Sequence, residues 1–327
     1  MVIPLAERYR DRLPFTDATP VVSLGEGSTP LLPAPRLSRR LGVELWLKWE
    51  AANPTGSFKD RGMTVAVSKA VEEGAQAIVC ASTGNTASSA AAYAARAGIP
   101  AVILQPKGAV ASAKLAQTRM YGARILELRG TFDEALEAAR ELAEVGTHSL
   151  VNSLNPHRRE GQKTAVFEIV DELGGAPDAV YLPYGGGGNT TAYGQAFLEL
   201  DGRPSRLVAA EAIDRAGTLA SAIRISEPVH AASVQEALER TGGHVVTLSD
   251  DEILAAWHDL AASEGLFCEL CSAAGLAALA KEPPEPGATV VCVITGHGLK
   301  DPESAGRLAP PPVVVDPDPE AIAEAAS

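Results

Sequence analysis

Ala77-Ile78-Val79-Cys80-Ala81, then Ser82-Thr83-Gly84-Asn85-Thr86, then an alanine-rich run to about Arg96, reads as one strand, one turn and one helix. A short apolar run bounded by turn residues is a buried strand, and the stretch behind it has helical spacing. The unit repeats with short connections: strand over 101–104, helix around 111–121, strand over 125–128, helix over 132–144. Such β-α-β repetition predicts an open parallel sheet covered by helices on both faces, with ligands at the carboxyl ends of the strands. Residues 148–152 enter a second region of the same kind, with a helix over 159–173, a strand over 179–182 and a helix after Gly188. The expected fold class is therefore α/β, two open twisted sheets flanked by helices.

Upstream, residues 43–49 alternate apolar and polar side chains, a half-buried strand that delivers the chain to Asn53-Pro54-Thr55-Gly56-Ser57-Phe58-Lys59-Asp60-Arg61. Asn-Pro and Thr-Gly are turn dipeptides, Ser57 is a candidate N-cap, and residues 58–70 have helical spacing. A lysine at that point lies near the positive end of a helix dipole, which disfavours its ammonium form and suits an amine that attacks a carbonyl. The alternative is a solvated surface lysine. Downstream, residues 211–230 show no clear period beyond a short helix near 219–223. Residues 250–264 form a helix capped by Ser249 or Asp250, with Trp257 on its core face. A small-residue helix covers 272–280, an apolar strand 288–294, and the tail from 309 is a surface wrap or a disordered end.

The 327 residues are 46% hydrophobic, enough for one large core or two ordinary ones. A net charge of −13 and a pI near 5.0 argue against nucleic acid and anionic membrane as partners, because both need clustered Lys and Arg. No apolar run approaches the ~18 residues of a membrane span, and the amino terminus lacks the pattern of a signal peptide, so a cytoplasmic protein is expected. Four cysteines are too few for a disulfide framework; Cys268 and Cys271 form a C-x-x-C without a second ligand pair of recognisable spacing, and no metal is expected.

Three further stretches carry chemistry. Ser82 to Thr86 places backbone N–H groups and hydroxyls at the start of a helix, either a carboxylate or phosphate nest or an ordinary N-cap by Asn85 or Thr86; the Asn85 amide can also bond a phenolic oxygen. Gly185-Gly186-Gly187-Gly188-Asn189 follows a strand and precedes a helix, so bare backbone can wrap a monophosphate. It lacks the lysine of a nucleotide P-loop and the spacing of a dinucleotide loop. Thr295 ends the strand over 288–294, and Asn152-Ser153 with Arg158 form another polar cluster at a strand end, where Arg158 either grips a phosphate or caps the next helix. Lysine, phosphate cradle, phenol partner and hydroxyl together meet the needs of one cofactor, pyridoxal phosphate.

With these residues in view the chain resembles the fold-type II pyridoxal phosphate enzymes, the tryptophan synthase β-like fold, and within them most closely the threonine synthases of the short type. The resemblance runs through residues 9–14, 23–31, 53–61, 82–86, 152–164, 269–275 and 295–302, nearly the whole chain. It implies that Lys59 forms the internal aldimine, with Phe58 beside it in the cofactor site, that Asn85 bonds the O3′ atom, that Gly185 to Asn189 hold the phosphate and that Thr295 meets the pyridine nitrogen. Ser82, Thr83 and Thr86 would hold substrate, with Asn152, Ser153 and Arg158 on its phosphate side. The resemblance also implies a larger cofactor-binding domain of residues 1–50 and 151–327, a smaller mobile domain of residues 51–150, and a homodimer. The implied reaction turns O-phospho-L-homoserine and water into L-threonine and phosphate. A threonine or serine dehydratase-like lyase and a non-catalytic cofactor-binding paralogue are the alternatives.

The chain departs from the family at several places. Gly186 and Gly187 stand where the family loop has Asn and Ala, which looks more like the dehydratases. Ala109 replaces a lysine and Ala113 a glycine, while Lys114 is retained. Glu269-Leu270-Cys271-Ser272 stands for Glu-Pro-Ala-Ser, so Cys271 fills an alanine position.

Overall fold

The computed structural model describes residues 3–108, 112–309 and 311–326; Ala109, and Ala111 at the start of an expected helix, lie outside the described residues. The chain opens with α1 (Leu5–Arg8), β1 (Leu31–Pro33), α2 (Pro35–Leu41) and β2 (Glu44–Trp49). Then α3 (Lys59–Glu72) leads into β3 (Ala77–Ala81), α4 (Asn85–Ala97), β4 (Ala101–Pro106), α5 (Ser112–Met120), β5 (Arg124–Leu128), α6 (Phe132–Glu144) and β6 (His148–Leu150). After α7 (Pro156–Leu173) come β7 (Ala179–Pro183), α8 (Gly188–Glu199), β8 (Arg206–Ala212), α9 (Ala231–Thr241) and β9 (His244–Leu248). The chain continues through α10 (Asp250–Glu264), α11 (Ala274–Lys281) and β10 (Thr289–Ile294) to two short helices, α12 (Pro302–Leu308) and α13 (Pro319–Ala325).

Six strands form one sheet in the order β1-β2-β10-β7-β8-β9, and four form another in the order β5-β4-β3-β6. All pairings are parallel except β1 with β2. The apolar run of β10 explains its place: Val290 to Ile294 are all buried, as a strand covered on both faces must be. Buried β3 holds the matching position in the smaller sheet, between β4 and β6.

Several expectations are corrected. Residues 148–150 belong to the four-stranded sheet, where β6 pairs with β3, so the chain leaves that sheet only at α7. Ser57 does not cap α3: Phe58 is the N-cap residue, with no side-chain cap, because the turn is fixed by backbone bonds to the end of β10. Gly84 holds the N-cap position of α4, with Asn85 already inside the helix. β8 and β9, which the sequence reading leaves unassigned on either side of the 211–230 stretch, complete the larger sheet. The tail carries α13, capped by the Asp318 side chain, on a stretch with no buried residue.

The strand over 43–49 is also more buried than its alternation implies. Lys48 is fully enclosed and ion-pairs with Glu168 and Glu172 of α7, both at 3.0 Å. Its polar face is covered by charge complementarity. Beside it, buried Arg61 donates to both oxygens of Glu50 and both of Glu168, and to Thr29 and Thr164. Burial works against the Glu168 carboxylate, but Arg61 and Lys48 outweigh it and hold the group down to about 2. This cluster joins β2, the segment at Thr29, the first turn of α3 and α7. The two helices approach closely there because Gly62 and Gly161 lack side chains: a Cβ at Gly161 would lie 1.9 Å from the Arg61 carbonyl oxygen.

Candidate active site

Site residues gather where the carboxyl ends of both sheets face each other, the position an open α/β sheet reserves for ligands. The lysine turn comes off β2 and is pinned to the end of β10. Phe58 N–H donates to Thr295 O at 3.0 Å, and His297 N–H donates to Gly56 O at 2.9 Å. Gly56 has φ of +82°, left-handed backbone that a glycine adopts without strain. Asp60 steadies the turn from the other side, accepting from Thr55 N–H and Thr55 Oγ1 at 2.6 Å and from Ser89 Oγ at 2.6 Å. Lys300, buried, donates to Thr55 O and Gln117 Oε1 at 2.6 Å each and to Ser88 Oγ at 3.2 Å. A cavity of about 400 Å³ is bordered by this turn, with Gly56, Gln117, His297 and Lys300 in its wall; Lys59 does not line it.

Lys59 opens α3, half-buried, with Nζ 4.3 Å from the centre of the Phe58 ring. Burial first, and the positive charge of Arg158 second, push its amine down to about 7. A lysine so placed is substantially neutral at physiological pH, as a nucleophilic amine requires. The surface-lysine alternative does not describe it.

Arg158 is fully buried in the first turn of α7, which begins one turn earlier than the sequence suggests, under an Asn155 side-chain cap. Its Nη1 donates to Val151 O at 2.8 Å, while Nε and Nη2 are buried without a partner. Burial lowers it to about 10, leaving it charged at neutral pH. Asn152 uses its amide to bracket Ala81 at the end of β3, accepting from Ala81 N–H at 2.9 Å and donating to Ala81 O at 2.8 Å. The Cβ of Ser153 lies 3.9 Å from where one would stand on Gly188, which puts Ser153 beside the glycine loop. His230, whose burial keeps it from protonating as readily as usual, bonds Ser153 O through Nε2 at 3.0 Å and packs on Gly187.

The glycine loop connects β7 to α8. Gly187 has φ of +89°, and a Cβ there would lie 2.6 Å from Val234, so this position needs glycine twice over. At the start of α8, Asn189 Nδ2, Thr190 Oγ1 and Thr191 Oγ1 are buried and unpaired. Unpartnered buried polar atoms at a helix N-terminus under bare glycine backbone match a phosphate group. At the end of the neighbouring strand β10, Thr295 Oγ1 lies 2.9 Å from Ser272 Oγ, which also accepts Gly296 N–H at 2.9 Å. Asn85 Nδ2 donates to Glu269 Oε2 at 2.6 Å and its Oδ1 is buried without a partner. Ser82, Thr83 and Thr86 are half-buried around the start of α4, with Ser82 Oγ accepting Gly84 N–H at 3.1 Å. These residues fit the phosphate, ring and imine-forming carbon of pyridoxal phosphate.

A family model described as pyridoxal-phosphate dependent enzyme matches residues 22–296. The chain belongs to this family. Threonine synthase of Halalkalibacterium halodurans is 47% identical over 320 residues, covering 92% of this chain and 90% of its own length. Threonine synthase of Mycobacterium tuberculosis strain H37Rv is 49% identical over 337 residues, covering 97% and 94%. Such likeness over almost the full length sets the chain among the threonine synthases within the family. The solved structure of maize serine racemase superposes with a TM-score of 0.77 at 20% identity, covering 89% of this chain and 94% of that one, a likeness of fold.

Sequence reasoning missed Thr190, Thr191, Ser272, His230 and Lys300. Thr190 and Thr191 directly follow the glycine loop and were open to the helix N-terminus argument. Lys300 gives no local signal, since its partners come from three separate stretches.

Proposed function

We propose that this pyridoxal-phosphate-dependent threonine synthase converts O-phospho-L-homoserine and water to L-threonine and phosphate. The observation that carries the reading is a second set of buried, unpartnered donors, Arg158 Nε and Nη2, on α7 where the first set is on α8. One anion cradle suits the cofactor phosphate; a phosphorylated substrate needs another. The dehydratase alternative needs only the first.

Gly185, Gly186, Gly187, Gly188 and Asn189, with Thr190 and Thr191, would hold the cofactor phosphate, Asn85 the phenolic oxygen and Thr295 the ring nitrogen. When bound, pyridoxal phosphate supplies the electron sink that makes proton removal from the substrate carbon skeleton feasible. Lys59 carries protons between Cα and Cβ of the substrate from its unprotonated Nζ. Ser82, Thr83 and Thr86 orient the substrate carboxylate, while Ser153 and Arg158 take the departing phosphate, with Asn152 shaping the strand end beside them. A hydroxyl at Thr295, unlike a carboxylate, leaves the ring nitrogen without a counter-charge. Closure of residues 51–150 over residues 1–50 and 151–327 would exclude water until it is needed. The same reading takes the protein as a cytoplasmic homodimer; among the described residues no helix is long and apolar enough to cross a membrane.

Incubation of the cofactor-loaded protein with phosphohomoserine is expected to give threonine and phosphate in equal amounts. Oxoacid and ammonia released from threonine, with phosphohomoserine left intact, would instead establish the dehydratase. Arg158→Ala is expected to raise KM for phosphohomoserine by roughly 10²-fold, the loss of one charge-assisted contact to phosphate of about 3 kcal/mol. An unchanged KM would remove Arg158 from the phosphate side.

The lowered amine gives a separate expectation. Only neutral Lys59 attacks an aldehyde, so pyridoxal phosphate added to cofactor-free protein should develop its visible band at a rate that rises with pH through about 7 and then levels. A rate still climbing at pH of about 10, as an ordinary lysine would give, contradicts the assignment.

A further inference from the structure

Glu269 lies just before α11, and its buried carboxylate meets two helices of the smaller sheet. Oε2 accepts from Asn85 Nδ2 of α4 at 2.6 Å, and Oε1 lies 2.5 Å from Lys114 Nζ of α5. The carboxylate rests on the backbone beyond β10, where Gly296 has no side chain: a Cβ there would come within 2.0 Å of Oε2. Glu269 N–H also donates to Gly296 O at 3.0 Å. Burial works against the Lys114 ammonium, yet the neighbouring Glu269 carboxylate outweighs it and raises the amine above its ordinary value.

An amide can present either nitrogen or oxygen to a neighbour that both donates and accepts. An ionised carboxylate only accepts, so the Nδ2 side of Asn85 is the side that can face it. One N–H is then fixed on Glu269, and the second remains for a ligand. We propose that Glu269, ion-paired with Lys114, is a positioning residue that fixes the orientation of the Asn85 amide and ties it to the seating of α5. This rests on the reading of Asn85 as partner of the cofactor's phenolic oxygen. Lys114 sits one helical turn before Gln117, which Lys300 grips, so its ion pair with Glu269 is made with α5 docked against the larger sheet's loops.

The measurement is the pH midpoint of the visible cofactor band in cofactor-loaded protein, together with cofactor content and thermal midpoint. Glu269→Gln offers Asn85 both a donor and an acceptor, so the fixed orientation is lost. The midpoint should move by about one pH unit. Because Glu269 acts through Asn85, the same substitution in an Asn85→Ala background should move it no further. A shift of equal size in both backgrounds means that Glu269 acts directly on the cofactor and overturns the proposal. So does a Glu269→Gln protein that is less stable but has an unmoved band while Asn85→Ala moves it. An unmoved band in Asn85→Ala itself sinks the Asn85 assignment and the proposal with it. If Glu269→Gln does not fold, Lys114→Met decides: a shift that vanishes without Asn85 supports the proposal, and no shift overturns it.

Discussion

Lys59→Ala is expected to lower threonine formation by about 10⁴-fold or more while leaving the chain folded. Among the described residues no other offers a primary amine beside the Phe58 ring: Lys114 is paired with Glu269, and Lys300 is bound to Thr55, Ser88 and Gln117. On the proposed reading, the same substitution removes both the amine that links to the cofactor and the group that carries the proton. Stability should hold or rise, because removing an amine whose charge is disfavoured by burial relieves a strained site. Product release is followed by coupled assay and unfolding by a thermal melt. Turnover within tenfold of the unaltered protein would assign the chemistry to another residue.

Arg61→Leu should be the most destabilising single change in the molecule, by about 3–5 kcal/mol. The leucine leaves buried Glu50 without a cationic partner and buried Glu168 with only Lys48 and Ser28 N–H. It also releases the lysine turn, because Asn53 Nδ2 bonds Glu50 and Asn53 Oδ1 accepts Gly27 N–H. Denaturant melts measure the loss, with Arg240→Ala as the comparison: its pair with Glu236 is exposed and 3.5 Å apart, so about 0–1 kcal/mol is expected there. A loss no larger for Arg61 than for Arg240 would show the cluster to be energetically idle. The pH dependence has a fixed sign. Glu168 titrates at about 2 in the folded protein against 4.5 as its ordinary value, so its contribution is complete above 4.5 and is lost as pH falls toward 2.

The site was legible wherever chemistry and chain direction coincide. Lys59 in its turn, the glycine loop before α8 and Thr295 at the end of β10 all sit at strand carboxyl ends or helix starts, positions that periodicity and turn residues mark within about ten residues. Arg158 was visible as a residue but not as an environment. Asn155-Pro156 is a local helix-start signal that the expected helix over 159–173 passes over. Nothing near Arg158 in sequence, however, says that α7 carries it inside, or that Gly62 of α3 leaves the space it occupies. Lys48 shows the same limit from the other side: alternation put it on a polar face, and the acidic side chains of α7 made that face part of the interior.

The sequence by itself determined the α/β class, the order of strand and helix through both sheets' main units, and the residue types of a pyridoxal phosphate site. Those depend on local spacing, on helix and turn preferences, and on short stretches whose chemistry needs no distant partner. Only the tertiary structure decided which charges are paired and which are left for a ligand. Glu269 meets Lys114 and Asn85 across more than 150 positions of chain, and Lys300 reaches Thr55 across 245. Pairing at that range is set by how two sheets face each other, and no local pattern carries it.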